Sequence, residues 1–219
     1  MSITLNFSDI SAADIKRIAK VAEKGVGSYD WTQSQVALTV TEKVFVNGIV
    51  SHLLDYETTL MNEATIWARA IYPLLVLAEQ GNIQAWAEVP IQAQYPHVEL
   101  QGIIDGVLSK AVAGLVETPY LVVVEAKRSL EGKNPRFQLY GEILATARLN
   151  WESNGQPIQE MFGCYTIGDS WTFIRALVQQ IDTDCPEMTI ESSREYIEKL
   201  EAETILKTLK LIISKYVTP

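Results

Sequence analysis

The stretch YLVVVEAKRS, residues 120–129, constrains this chain more than any other. Leu121, Val122, Val123 and Val124 are apolar in succession, the pattern of a strand buried on both faces. The run then passes directly into Glu125-Ala126-Lys127. Taking either charge out of water alone costs several kcal/mol, on the order of the stability of a whole domain. A fold that places this strand at its centre must therefore give both charges a partner.

The chain has 219 residues, 47% of them hydrophobic, enough for one sizeable core with appendages or for two small ones. No apolar run reaches membrane-spanning length, since residues 64–78 are interrupted by Arg69 and Pro73. The first residues lack a basic region followed by an apolar one, the mark of a signal peptide. Cys164 and Cys185 are the two cysteines and suggest no disulfide framework. These features predict a cytoplasmic protein with no membrane partner. The formal charge of −9 is a poor footprint for a protein that coats nucleic acid non-specifically. The distribution is uneven, however. Lys127, Arg128, Lys133 and Arg136 form a local basic patch, whereas residues 182–203 are strongly acidic.

Periodicity predicts a first helix opened by Ser11 with Asp14 and closed at Gly25. Residues 35–46 read as strand and 50–54 as the start of a helix. A long helix is expected over 56–79, disturbed at Pro73. Three strands follow, over 83–94, 98–109 and 120–128, the first marked as an edge or bulge by Pro90 and the third as central. Asn134-Pro135 starts a helix to about residue 150, with Tyr140, Ile143, Leu144 and Ala147 on its core face. Strands over 158–167 and 171–178 flank the turn signal Gly168-Asp169. Ser192 with Glu195 predicts the N-terminus of a last helix reaching about residue 215. The order is that of an α/β or α+β fold with a mixed sheet.

Strand side chains alternate, so Glu125 and Lys127 share a face, about 7 Å apart. The preceding strand contains QGIIDG, whose single carboxylate is Asp105. If the two strands pair, Asp105 comes beside Glu125. Two adjacent carboxylates repel unless one is protonated or a cation lies between them. Mg²⁺ or Mn²⁺ suits oxygen donors and keeps several waters, and the Ala126 backbone carbonyl offers a third donor. Without a metal, Glu125 and Lys127 would be a surface ion pair worth under about 1 kcal/mol. His52 and His97 are isolated and without ligand spacing, and no phosphate loop or nucleophile elbow occurs.

Asp105, then Glu125-Ala126-Lys127 some twenty residues later, then a capped helix, resembles the PD-(D/E)xK nuclease superfamily. The resemblance covers residues 56–178 and implies a restriction-endonuclease-like αβββαβ core, a mixed central sheet flanked by helices. It implies metal ligation by Asp105 and Glu125 and water activation by Lys127. Gln138 matches the polar residue that many members carry on the following helix. Glu63, with Glu57 second, matches the glutamate some carry on the first helix, and Glu88 is a further metal candidate. Ile104 stands where many members have proline, and Glu142 stands where one branch has tyrosine. The expected division is a helical or irregular extension over 1–55, the nuclease-like core over 56–180, and a C-terminal helix over 181–219, packed on the core or a partner.

The function expected is a Mg²⁺- or Mn²⁺-dependent endonuclease acting on DNA, with Arg128, Lys133 and Arg136 on phosphates. The alternative is a non-catalytic binding or assembly module on the same fold, whose acidic C-terminal segment docks a protein partner. A homodimer is expected through an apolar stripe of Leu200, Leu209 and Ile212.

Overall fold

A computed structural model describes residues 3–127 and 134–217, the side chain of Thr59 excepted. The chain runs β1 (Ile3–Asn6), α1 (Ala12–Ile18), β2 (Lys20–Val26), α2 (Val40–Leu54), α3 (Glu63–Ile66), a π-helical turn (Trp67–Ile71) and α4 (Tyr72–Ala78). It continues with β3 (Ile83–Gln94), β4 (Val98–Val112), β5 (Leu115–Lys127), α5 (Pro135–Asn154), β6 (Ile158–Ile167), β7 (Ser170–Gln179), β8 (Glu187–Ile197) and α6 (Glu198–Ser214).

The eight strands of the described residues join one mixed sheet in the order β1-β4-β5-β6-β7-β8-β2, with β3 paired to β4. The three strands β3, β4 and β5 form an antiparallel meander. Helix α5 then carries the chain back so that β6 lies parallel to β5, the long crossover that parallel pairing requires. β1 and β5 share one edge of β4: β1 pairs with residues 98–101 and β5 with residues 106–112. β3 covers the other edge and is the outer strand there, which accommodates Pro90.

The sheet buries both faces. Val122 and Val124 of β5 pack with Val46 of α2, Leu74 of α4 and Leu206 of α6. Val123 packs on the opposite side with Phe7, Ile15 of α1 and Leu139 and Ile143 of α5. The valine run is thus the centre of the molecule, as its composition requires. Among the described residues, no helix is long and apolar enough to cross a membrane.

Several elements differ from expectation. The first helix stops at Ile18, and residues 20–26 form β2, parallel to β8 on the far edge of the sheet. Residues 40–46 are helical despite their valines. Thr39 and Glu42 close a capping box, and Val46 and Leu53 are buried, so capping and packing outweigh β-propensity. The helix expected over 56–79 starts at Glu63 and contains the π turn. Pro73 has no N–H to return to the Arg69 carbonyl, and the π turn lies just before it. Ser192 and Glu195 belong to β8, where Ser192 pairs with Ile174, and the last helix begins only at Glu198. The segment 1–55, expected to be helical or irregular, supplies two strands, and 181–219 supplies one before its helix. Leu209 and Ile212 are buried in the core and only Leu200 is exposed, so the expected dimer stripe does not exist as a surface.

Candidate functional site

β4 and β5 part company at the charged end of the valine strand. Their last pair is Gly106 with Val124. Beyond it the Ala126 N–H donates to Asp105 Oδ2 at 2.8 Å, so the aspartate itself ties the diverging strands together. Gly106 is required here: a Cβ on it would stand 2.4 Å from the Trp67 ring. The Asp105-Gly106 pair thus lies mid-strand and lets Trp67 rest against the sheet beside the carboxylate.

Opposite Asp105 on β3, Glu88 has φ 53°, a conformation non-glycine residues seldom adopt and one that stores on the order of 1–3 kcal/mol of strain. The ladder keeps its register across it, from Ala87↔Gly106 to Val89↔Ile104. The faces exchange, however. Ile83 and Ala85 pack on the α4 side, whereas Val89, Ile91 and Ala93 pack on the α5 side, although all five are odd-numbered. Simple alternation along β3 therefore fails at Glu88. The result is a cleft of about 180 Å³ lined by Glu63, Ala64, Trp67, Glu88, Asp105 and Ala126.

Glu125 lies behind this cleft and is 0% exposed. Its Oε2 accepts from Gln138 Nε2 at 2.6 Å. Its Oε1 is in an ion pair with Lys127 Nζ at 2.5 Å and meets no other partner among the described residues. Lys127 Nζ is also 4.0 Å from Glu63 Oε1. The same Gln138 nitrogen donates to Glu142 Oε1 at 3.1 Å. Glu142, fully buried, leaves Oε2 without a partner among the described residues.

The electrostatics follow from this crowding. Burial, then the neighbouring Asp105, push Glu125 up to about 7. Burial and the Glu125 charge raise Glu142 well above the ordinary carboxylate range. Burial also raises Asp105, against the Ala126 N–H and Lys127. For Lys127, burial opposes the charge, but Glu125, Asp105 and Glu63 outweigh it and hold the ammonium above its ordinary value. One cation thus faces an excess of carboxyl groups, and the unmatched acid favours a second positive charge.

The donors fit a hard divalent ion. Asp105, Glu125 and the Ala126 carbonyl are all oxygen, and Glu125 Oε1, held by the single contact to Lys127, has a lone pair to spare. Among the described residues, no group of three or more His, Cys, Asp and Glu side chains is arranged to hold a metal alone. Mg²⁺ and Mn²⁺ fit a partial shell of this kind, because Mg²⁺ binds through one or two carboxylates and retains waters.

The structure brings together Asp105, Glu125, Ala126, Lys127, Gln138, Glu63 and Glu88. It separates the remaining candidates. Glu57 is exposed and does not line the cleft. Arg136 is engaged with Glu23 Oε2 at 2.7 Å and with the Tyr140 hydroxyl at 2.5 Å, so it is an internal tie between β2 and α5. Arg128 and Lys133 lie outside the described residues. Glu142 was not expected as part of the cluster. Its signal was the four-residue spacing from Gln138, which puts both on one helix face. No family model matches the chain, and no curated protein matches it.

Proposed function

We propose that the protein is a metal-dependent nuclease of the PD-(D/E)xK kind that hydrolyses DNA phosphodiester bonds. One observation carries this: Asp105, Glu125, Lys127 and Gln138 meet where β4 and β5 diverge, beside a cleft that also receives Glu63 and Glu88. The succession of helix, antiparallel meander, crossover helix and parallel strand supports a restriction-endonuclease-like core.

Asp105, Glu125 and the Ala126 carbonyl would hold Mg²⁺ or Mn²⁺, with Glu63 and Glu88 within the same cleft. The ion supplies Lewis-acid polarisation of a phosphoryl oxygen and acidifies water. The chain's own groups do the rest. Lys127 stays an ammonium and offsets negative charge growing on the phosphate as the water oxygen bonds to phosphorus and the phosphorus–oxygen bond to the leaving sugar breaks. The water's proton passes to the leaving oxygen or to solvent. Gln138 orients Glu125, and Asp105 is fixed by the Ala126 N–H.

The test is cleavage of linear, circular and branched DNA with Mg²⁺ or Mn²⁺. Asp105→Ala and Lys127→Ala are each expected to lose about a hundredfold or more, the scale of removing one transition-state charge contact. Activity that survives both substitutions overturns the proposal. The complete burial of Glu125 favours a second function, a binding or assembly module on this fold in which Glu125 never meets solvent. That alternative predicts no Mn²⁺ binding by calorimetry and a co-purifying protein partner.

A further inference from the structure

Gln138 is the hinge of the buried cluster. Its amide nitrogen carries two hydrogens and meets two acceptors, Glu125 Oε2 at 2.6 Å and Glu142 Oε1 at 3.1 Å. With both hydrogens committed, the amide ties the two carboxyl groups to each other and is held between them. Glu142 is therefore half of the lock, although it does not line the cleft. It sits one turn beyond Gln138 on α5, fully buried, and its second oxygen has no hydrogen-bond partner among the described residues. Burying such a group is costly, and an apolar residue of similar size would pack there at lower free energy. A purely structural role leaves that cost unexplained.

We propose that Glu142 is a positioning residue: through Gln138 it holds the Glu125 carboxylate in the orientation that takes a divalent cation. This rests on the nuclease reading of the site, but it concerns a residue that contacts neither the cleft nor a substrate. Glu142 fixes Gln138, Gln138 fixes Glu125, and Glu125 with Asp105 faces the ion. Outer-sphere partners of this kind are worth about ten- to a hundredfold in metal affinity or activity.

The test compares wild type, Glu142→Gln, Glu142→Met and Glu125→Ala for Mn²⁺ binding by calorimetry and electron paramagnetic resonance, without DNA, alongside thermal melting in EDTA. Glu142→Gln keeps an oxygen that can accept from Gln138, whereas Glu142→Met fills the space and cannot. The expected result is Mn²⁺ binding weakened about tenfold or more in Glu142→Met and within about threefold of wild type in Glu142→Gln. Glu142→Met is expected to melt in EDTA no lower than wild type, which separates the loss of binding from a loss of fold. With DNA present, kcat is expected to fall with KM little changed. Wild-type Mn²⁺ binding in Glu142→Met, with binding lost in Glu125→Ala, overturns the role of Glu142 and leaves the nuclease reading standing. Glu142→Gln as impaired as Glu142→Met also overturns it. Failure of the wild type itself to bind Mn²⁺ overturns the nuclease reading, and the role of Glu142 with it.

Discussion

At the scale of single residues, the buried carboxyl groups among the described residues lie in three places: the cluster around Glu125, Glu191 on β8, and the start of α6. Glu198, first residue of α6, is wholly buried and accepts from Trp171 Nε1 at 2.7 Å. Burial, with the charge of Asp169 adding to it, pushes Glu198 up to about 8 from an ordinary 4.5, against the indole hydrogen bond. Between those values the folded protein keeps a proton that the unfolded chain has released. The stability this contributes is complete below the unfolded value and is lost as pH rises through about 8. Glu198→Gln stays neutral and can still accept from Trp171. Its melting temperature is expected to exceed that of the wild type by several degrees at pH 8.5, at about 2–4 °C per kcal/mol for a chain of this size, with the gap closing towards pH 4.5. Melting curves at half-unit pH intervals check this, and a gap that does not change with pH would exclude Glu198 as its source.

At the scale of elements, α5 does the most for the site, because it carries both Gln138 and Glu142 and begins only three residues before Gln138. Its start is written in Asn134-Pro135, and the Asn134 side chain accepts from the Arg136 N–H at 3.0 Å. Asn134→Ala is expected to cost about 1 kcal/mol, lowering the urea midpoint with an unchanged slope. α5 and strands β3 to β7 were legible because each combines a long period with a clear boundary signal. Where one of these was missing, the sequence misled. β2, KVAEKGV, is a largely exposed edge strand whose charges read as the continuation of a helix, and only its pairing with β8 makes it a strand. Ser192 and Glu195 have the spacing of a capping box, but four residues are too short a pattern to outweigh the ladder with β7. Asp105, Glu125 and Lys127 could be placed together because strand alternation and pairing decide their geometry. The face exchange at Glu88 depends on one positive φ, and the partnership of Glu142 with Glu125 depends on packing between α5 and β5.

At the scale of the whole molecule, the proposed nuclease must reconcile a net charge of −9 with a polyanionic substrate. Most cations among the described residues already have an acidic partner, including Lys24 and Arg175 with Glu191, Lys210 with Glu42 and Arg194 with Glu201. Among the described residues, the lysines and arginines outside any ion pair are Lys16, Lys43, Arg69 and Lys110. On that reading phosphate contacts are few, and neutralisation at the cleft would fall to Lys127 and a divalent ion. Each phosphate neutralised by a side chain contributes about −0.9 to the slope of log affinity against log salt on duplex DNA. The metal-free protein in EDTA is accordingly expected to bind a 30-base-pair duplex weakly, with a slope shallower than about −4. Fluorescence anisotropy between 50 and 300 mM salt measures it. A slope near −8 would mean roughly nine neutralised phosphates, more than the free cations of the described residues supply. The long-range field of this protein repels DNA, so any capture of it must come from contacts within about one Debye length of the cleft, about 8 Å at physiological salt.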